Sequence, residues 1–167
     1  MKKIGDNIEA KTGRWVFSGD VVKNFDNHIK KSVPGYDEGH ELITNLIPFF
    51  IGENRSKVVD IGCSTGNLLK KIRQTTERSD VEFIGIDIEN DMINFAKENN
   101  KFENCSYEVG DIKDYELSDC SVIASYYTMQ FINPSNRQVV IDKIFDSLNW
   151  GGAFLFFEKV RGPDARF

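Results

Sequence analysis

One stretch decides the fold of this chain: Val58-Val59-Asp60-Ile61-Gly62-Cys63-Ser64-Thr65-Gly66. Its apolar first half predicts a short buried strand, its two glycines predict a loop, and the amphipathic run that follows (Leu68, Leu69 and Ile72) predicts a helix. This succession places backbone N–H groups and a helix N-terminus at the carboxyl edge of a parallel sheet, where doubly wound folds bind nucleotide-like ligands. The glycine spacing is wider than in G-x-G-x-x-G, which favours a ligand without phosphate groups over a pyrophosphate.

The composition is that of an ordinary globular protein. With 167 residues, 40% of them apolar and 28% charged, the chain is long enough for one domain with a substantial core. Its net charge of -5 predicts no direct binding to nucleic acid. Its three cysteines (Cys63, Cys105 and Cys120) form no C-x-x-C pair, which indicates neither a disulfide framework nor a metal site and fits a reducing cytoplasm. No apolar run is long enough to span a membrane.

The region before the glycine loop is predicted to be helical. Residues 1–17 have little periodicity and are expected to be partly disordered or to lie across the surface, attached through Trp15 and Phe17. A first helix is predicted from Ser18, capped by Ser18 or Asp20, and a second over residues 37–50, after the Pro34-Gly35 turn. His28 and His40 are expected to face solvent. The predicted division is residues 1–52 as an N-terminal segment with cap helices and residues 53–167 as the ligand-binding domain.

Downstream of the glycine loop, strands alternate with helices. Pro134 fits the first turn of the last helix, and Gly151-Gly152 is expected to stop it. The alternation implies right-handed crossovers, so the predicted fold class is α/β: a doubly wound, Rossmann-like, mainly parallel sheet of about five strands with helices on both faces and an N-terminal helical region. Predicted strands cover residues 57–61, 81–87, 104–109, 120–126 and 153–160, and predicted helices cover residues 67–76, 91–99 and 134–148.

Two acidic residues follow strands that neighbour the glycine loop. Asp87 ends the second strand, 25 residues after Gly62, where a carboxylate accepts hydrogen bonds from both hydroxyls of a ribose. The alternative is that Asp87 caps the following helix. After the third strand, Asp111 can accept a hydrogen bond from an adenine amino group while Ile112 packs on the ring, or Asp111 can simply close a turn.

These motifs resemble a known superfamily. The order Asp60–Gly66, Ile84–Asp87, Gly110–Ile112 and Gly151-Gly152 resembles the class I S-adenosylmethionine (SAM)-dependent methyltransferases. Within that superfamily, the chain resembles the carboxy-SAM synthases, which convert SAM and prephenate into carboxy-SAM for modification of the tRNA wobble uridine. This closer resemblance is carried by Ser32-Val-Pro-Gly-Tyr36, Tyr127-Thr-Met-Gln-Phe131 and Phe157-Glu-Lys159.

The resemblance implies a cofactor and a set of residues that hold it. The cofactor is SAM, or its relatives S-adenosylhomocysteine (SAH) and carboxy-SAM. Tyr36 is expected to reach over it from the N-terminal helices, and the other partner is a small-molecule substrate. The cofactor-binding residues implied are Tyr36, Asp60, Gly62, Cys63, Ser64, Gly66, Asp87, Asp111, Ile112 and Tyr126.

The chain departs from the synthase pattern in three places. The family has Asn at the positions of Tyr126 and Ile88, and it continues past residue 167 with helices, two more strands and an arginine that grips the carboxylate of carboxy-SAM. Without those final strands, Ala153–Phe157 would form an apolar sheet edge, which invites association. The chain is therefore expected to be a fragment of a longer protein or to have this edge covered by a partner, including a second copy of itself.

Three functions remain open. The first is a SAM-using enzyme similar to the carboxy-SAM synthases, and the second is a small-molecule methyltransferase. The third is a non-catalytic SAM-binding subunit completed by a partner, while the glycine spacing disfavours a nicotinamide dehydrogenase. Methyl transfer is an in-line displacement that mainly needs positioning and exclusion of water, so no catalytic residue is assigned, and Glu158 is only a candidate base.

Overall fold

A computed structural model of the chain describes residues 9–11, 14–16, 21–52 and 56–160. Two short 3₁₀ turns cover Ile47–Phe49 and Met129–Phe131. The elements in chain order are β1 (Glu9–Lys11), β2 (Arg14–Val16), α1 (Val21–Ser32), α2 (Tyr36–Leu46), β3 (Ser56–Ile61), α3 (Asn67–Thr75), β4 (Val81–Asp87), α4 (Asn90–Asn99), β5 (Cys105–Val109), β6 (Cys120–Tyr126), α5 (Pro134–Ser147) and β7 (Leu148–Phe157).

The main sheet has five strands in the order β5-β4-β3-β6-β7. All four pairings between neighbours are parallel. The strand order reverses between β3 and β6, and in such sheets ligands bind at the carboxyl ends of the strands beside this point. The predicted doubly wound sheet is therefore confirmed.

Helices cover both faces of this sheet because successive strand residues point to opposite sides. On one face Val58 and Phe83 pack with Ile43 of α2 and Ile72 of α3. On the other face, Val59, Ile86 and Ile123 of the central strands pack against α5, which contributes Val140 and Ile144. Every residue of β6 is buried, as expected for a central strand of a parallel sheet.

Both ends of α5 agree with the prediction to within one residue, but the glycine pair has another role. Asn133 accepts a hydrogen bond from the Ser135 amide at 3.1 Å, and Pro134 occupies the first turn. The helix ends at Ser147, before the glycine pair. Gly151 and Gly152 instead lie inside β7, where the register with β6 shifts.

The two glycines are needed by this irregular pairing. Gly151 has a φ of +80°, and a Cβ on Gly152 would lie 2.9 Å from the Ser121 carbonyl oxygen. Their expected role as a helix stop is wrong, since they accommodate a bulge in the last strand. That strand is Leu148–Phe157, earlier than the predicted 153–160.

The N-terminal helices lie close to their predicted positions. Gly35, with a φ of +71°, turns the chain between α1 and α2. Unlike the prediction, Glu9–Lys11 and Arg14–Val16 form a two-stranded antiparallel pair. The proposed caps Ser18 and Asp20 and the attachment points Trp15 and Phe17 cannot be assessed, because these residues or their side chains lie outside the described part of the chain.

Strand β7 forms one edge of the five-stranded sheet, as predicted. Trp150 is fully exposed, and Phe156 and the neighbouring Phe145 of α5 are more than half exposed. The strand carries no charged residue, although charges are a common protection of edges. Across the described ranges, no helix is both long and apolar enough to cross a membrane.

Candidate functional site

The glycine loop is fixed to the neighbouring strand β4. The amides of Gly62 and Cys63 both donate to the carbonyl oxygen of Ile86, at 2.7 and 3.0 Å. Gly62 has a φ of +72°, and a Cβ there would lie 2.2 Å from Oγ1 of Thr128. This position therefore requires glycine for its backbone angle and for the close approach.

The loop then turns into α3 through Gly66. Its amide donates to the Cys63 carbonyl oxygen at 2.8 Å, and a Cβ on Gly66 would lie 2.6 Å from the Tyr107 hydroxyl. Burial, followed by the charges of Asp60 and Asp87, raises the pKa of the Cys63 thiol. Cys63 is therefore a protonated, buried residue that lines a tight loop and not a thiolate nucleophile.

Asp87 joins the loop to the following helix. Its carboxylate accepts the Ser64 amide at 2.8 Å through one oxygen and the Glu89 amide at 2.9 Å through the other. Burial raises the pKa of this carboxyl. Asp87 therefore lies beside the glycine loop, as predicted, and it also contacts the N-cap residue of α4. Its contact with the ribose stays a prediction.

Asp60 carries an unsatisfied polar atom in this region. Its side chain is 2% exposed, and within the described ranges its Oδ1 has no hydrogen-bond partner. Burial, with a smaller contribution from the charge of Asp87, raises its pKa to about 8. Buried carboxyl oxygens are normally paired, so the unpaired oxygen of Asp60 is a candidate contact for a ligand group.

Asp111 and Ile112 lie one strand further, after β5. Asp111 is exposed, and its Oδ1 accepts the Lys113 amide at 2.9 Å. Its carbonyl oxygen accepts the amides of Asp114 and Tyr115, so the turn-closing alternative is observed. Ile112 is 6% exposed and belongs to the core under the sheet. Contact of either residue with adenine stays a prediction.

An aromatic cluster joins α2 to the end of β6. The Tyr126 hydroxyl donates to the Tyr36 carbonyl oxygen at 2.7 Å. The ring centroid of Tyr126 lies 5.0 Å from that of Tyr36 and 4.5 Å from that of His40. Burial, with smaller contributions from the charges of Asp26 and Asp60, raises the pKa of the Tyr36 hydroxyl.

His40 is not the solvent-facing residue that was expected. It is 2% exposed, and its Nδ1 has no partner among the residues that the structure describes. Burial lowers its pKa to about 3, so the ring is neutral near pH 7. The spacing of Tyr36, His40 and Ile43 on one helical face could have indicated this burial. His28 is half-buried and contacts Ser32.

A contact between α1 and the glycine loop was not predicted from the sequence. The Thr65 hydroxyl donates to Asp26 at 2.7 Å, and the Asn100 side chain donates to the Thr65 carbonyl oxygen at 2.7 Å. Asp26 lies beside Val22 and Phe25 on the buried side of α1. An acidic residue within an apolar face was the available signal.

Glu158 has a structural partner. Its carboxylate accepts the amides of Met129 and Gln130 at 2.6 and 3.2 Å, and burial raises its pKa. These bonds cap the short helical turn after β6. Glu158 is therefore engaged in holding that turn, which argues against its role as a general base.

The predicted residues thus converge on one end of the sheet. Asp60 immediately precedes the glycine loop, which is bonded to Asp87. Tyr36 and Tyr126 pack in one apolar cluster with Cys63 of the loop, and Asp111 follows β5. A surface depression of about 620 Å³ lies elsewhere, lined by residues 80–83 and 101–106. No group of three or more His, Cys, Asp or Glu residues in the described ranges could hold a metal ion.

Comparison with known families agrees with this geometry. Residues 53–159 match the family model for a methyltransferase domain, and the chain belongs to that family. More particularly, it is similar to the carboxy-S-adenosyl-L-methionine synthases of Staphylococcus epidermidis and Campylobacter lari, at 38% and 37% identity over 89% and 90% of this chain. The resemblance seen in the motifs is thereby confirmed. The chain spans 65% and 64% of the length of these two relatives.

Solved structures show the same fold. A TehB-like SAM-dependent methyltransferase of Corynebacterium glutamicum has a TM-score of 0.60 at 20% identity, covering 80% of this chain and 68% of that chain. The N-methyltransferase NodS of Bradyrhizobium japonicum, solved in complex with SAH, has a TM-score of 0.65 at 19% identity, covering 81% of this chain and 67% of that chain.

Proposed function

We propose that the chain binds SAM at the carboxyl ends of β3, β4 and β5 and belongs to an enzyme that makes carboxy-SAM. The observation that carries this proposal is the buried Oδ1 of Asp60, which lacks a partner in the described ranges. SAM has an ammonium group, and a cation beside Asp60 would pair this oxygen and favour its ionised form. The similarity to carboxy-SAM synthases supplies the proposed product.

Each part of the cofactor has a proposed partner. Asp87 accepts the ribose hydroxyls, and Asp111 accepts the adenine amino group beside Ile112. Tyr36 and Tyr126 cover the site from α2 and β6. The loop residues Gly62, Cys63, Ser64 and Gly66 are proposed to line the cofactor site at the start of α3.

The chemistry proposed for this chain is positioning. SAM supplies an electrophilic carbon attached to a sulfonium, which is its own leaving group. The residues of the chain hold the cofactor and exclude water. His40 is neutral and buried, and Glu158 is bonded to two amides, so neither is proposed as a catalytic base.

The chain is proposed to consist of a cap over residues 1–52 and a cofactor-binding domain over residues 53–167. The cap contributes Tyr36, whose carbonyl is bonded to Tyr126 of the domain. The proposed location is the cytoplasm, which fits three free cysteines. The proposed substrate is a small molecule.

Two alternatives are each favoured by one observation. The bulky Tyr126, where the synthase pattern has Asn, favours a different acceptor and hence a small-molecule methyltransferase. The uncharged edge strand β7 with its exposed Trp150 favours a SAM-binding subunit whose edge is covered by a partner or a second copy.

The test is calorimetric titration of the purified chain with SAM, SAH and carboxy-SAM, with NAD as the control ligand. We expect micromolar binding of SAM and SAH, weakened strongly in Asp60→Asn and Asp87→Ala and unchanged in Glu98→Gln, at an exposed carboxylate of α4. A preference for carboxy-SAM supports the synthase over an ordinary methyltransferase. A folded chain that binds none of the three ligands would contradict the proposal.

A further inference from the structure

Lys143 makes an unusual set of contacts on α5. Its ammonium donates to the carbonyl oxygens of Ile112 at 3.3 Å, Lys113 at 2.6 Å and Tyr115 at 2.9 Å. An ammonium has three N–H groups, so each of them has an acceptor here. All three acceptors belong to the loop that follows β5.

This loop cannot satisfy its own carbonyl groups. It contains a single turn in which the Asp111 carbonyl oxygen accepts the amides of Asp114 and Tyr115. The later carbonyls of such a turn have no further turn to bond to. The Lys143 ammonium supplies donors for them, and hydrogen bonds from a charged donor are stronger than neutral ones.

Two further contacts fix the same loop. Ile112 packs in one apolar cluster with Val140 and Ile144, which lie on either side of Lys143 in α5. The Tyr115 hydroxyl donates to Glu108 of β5 at 2.8 Å. The loop is therefore held at three places: by the apolar packing of Ile112, by the Lys143 ammonium at its carbonyl oxygens and by the bond from the Tyr115 hydroxyl to β5.

We propose that Lys143 is a positioning residue for adenine recognition, holding the loop so that the Asp111 carboxylate stands at the carboxyl end of β5. This inference rests on the proposed binding of SAM. Lys143 acts through the backbone of residues 112–115 and makes no contact with the cofactor itself. Substitution of Lys143 keeps the Asp111 carboxylate but releases the turn that orients this carboxylate.

The test compares SAH with its inosine analogue, in which a carbonyl replaces the adenine amino group and the adjacent ring nitrogen carries a proton. The wild-type chain should prefer SAH. Lys143→Met keeps the apolar stem but removes the donors, so we expect SAH binding to weaken about tenfold, the usual effect of a charge-assisted bond. Binding of the inosine analogue should weaken less, which lowers the preference ratio. Lys97→Met, at an exposed lysine of α4, should change neither dissociation constant.

A second measurement needs no ligand. Amide hydrogen exchange of residues 111–116 should accelerate in Lys143→Met, while exchange along the rest of α5 stays unchanged. Tyr115→Phe, which removes the bond to Glu108, should accelerate the same amides to a smaller extent. If Lys143→Met folds poorly, Lys143→Gln provides the same comparison, because its shorter neutral side chain lacks the three ammonium donors; an unchanged preference ratio in that variant also overturns the inference.

The outcomes separate this inference from the proposed function. Failure of the wild-type chain to bind SAH contradicts the proposed function and, with it, a role of Lys143 in adenine recognition. Binding of SAH by the wild type with an unchanged preference ratio in Lys143→Met overturns the inference alone, because a merely structural role would weaken both ligands equally. Unchanged exchange of residues 111–116 also overturns it.

Discussion

Gly39 and Tyr126 share one space between α2 and the end of β6. A Cβ on Gly39 would lie 2.2 Å from the Tyr126 hydroxyl oxygen. The same hydroxyl donates to the Tyr36 carbonyl oxygen, three residues earlier in the chain. The phenol of Tyr126 therefore fits against the cap helix only because residue 39 has no side chain.

Gly39→Ala should therefore destabilise the protein by about 1–3 kcal/mol, the usual range for overpacking. In a Tyr126→Ala background the same substitution should be close to neutral, because the clashing ring is gone. Chemical denaturation of the two single variants and the double variant measures this coupling. Gly52→Ala, where an added Cβ meets no atom within 4 Å, is the control. Equal effects of Gly39→Ala in both backgrounds would refute the shared-space explanation.

Asp60 predicts a loss of stability with rising pH in the ligand-free protein. Its pKa is raised from 3.8 to about 8, so the folded state holds the proton more tightly than the unfolded state. The stabilisation is present below the ordinary pKa of 3.8 and is lost as the pH rises towards about 8. Thermal unfolding across this window should show a smaller decline in Asp60→Asn. Asp146→Asn, at an exposed carboxylate of α5, should keep the wild-type decline.

The lowered pKa of His40 predicts the opposite pH dependence: the stability of the folded protein should fall in acid. Its pKa is lowered from 6.5 to about 3, so the unfolded state binds the proton first. Stability is present above 6.5 and is lost as the pH falls towards about 3. His40→Phe keeps an aromatic ring within the cluster and removes the titration, so its unfolding midpoint should fall less steeply in this range. The control is His28→Gln on α1, and an acid dependence identical to wild type in His40→Phe would count against the prediction.

Thr65 predicts a joint effect on stability and ligand binding. Thr65→Val removes the hydroxyl that donates to Asp26 and leaves a half-buried carboxylate without this bond, which should cost up to about 1.5–3 kcal/mol. Because Thr65 lies in the glycine loop, the dissociation constant for SAH should rise as well. Denaturation and calorimetry measure the two effects. Thr75→Val, at an exposed threonine bonded to a backbone carbonyl, should leave SAH binding unchanged.

The sequence alone predicts those features in which a local residue pattern combines with a general rule for the order of strands in a sheet. The apolar run Val58–Ile61 and the following glycines predict a central strand and its loop, and the next strand in a doubly wound sheet lies beside it. That rule brings Asp87 to Ser64, and the structure has their hydrogen bond. The order of the strands was therefore enough to predict this part of the site.

Other features depend on contacts between distant segments, which no local pattern contains. The bulge at Gly151-Gly152 exists because β7 pairs with β6 in a shifted register. His40 is buried because Tyr126, 86 residues later in the sequence, packs on its ring. The ammonium of Lys143 finds its acceptors about 30 residues earlier in the chain. Such pairings become visible only once the strands are in place.

The carbonyl group of Ile86 has a consequence for how this scaffold can diversify. It accepts the amides of Gly62 and Cys63, while the next residue, Asp87, bonds back to Ser64. The end of β4 and the glycine loop thus form a closed ring of hydrogen bonds, two between backbone groups and one to the Asp87 carboxylate. A substitution in β3 or β4 cannot lengthen the distance between the glycine loop and the end of β4 without breaking one of these hydrogen bonds. New ligand preferences can therefore arise by substitution in the loop after β5 or in the cap helices, while the central ring keeps its dimensions.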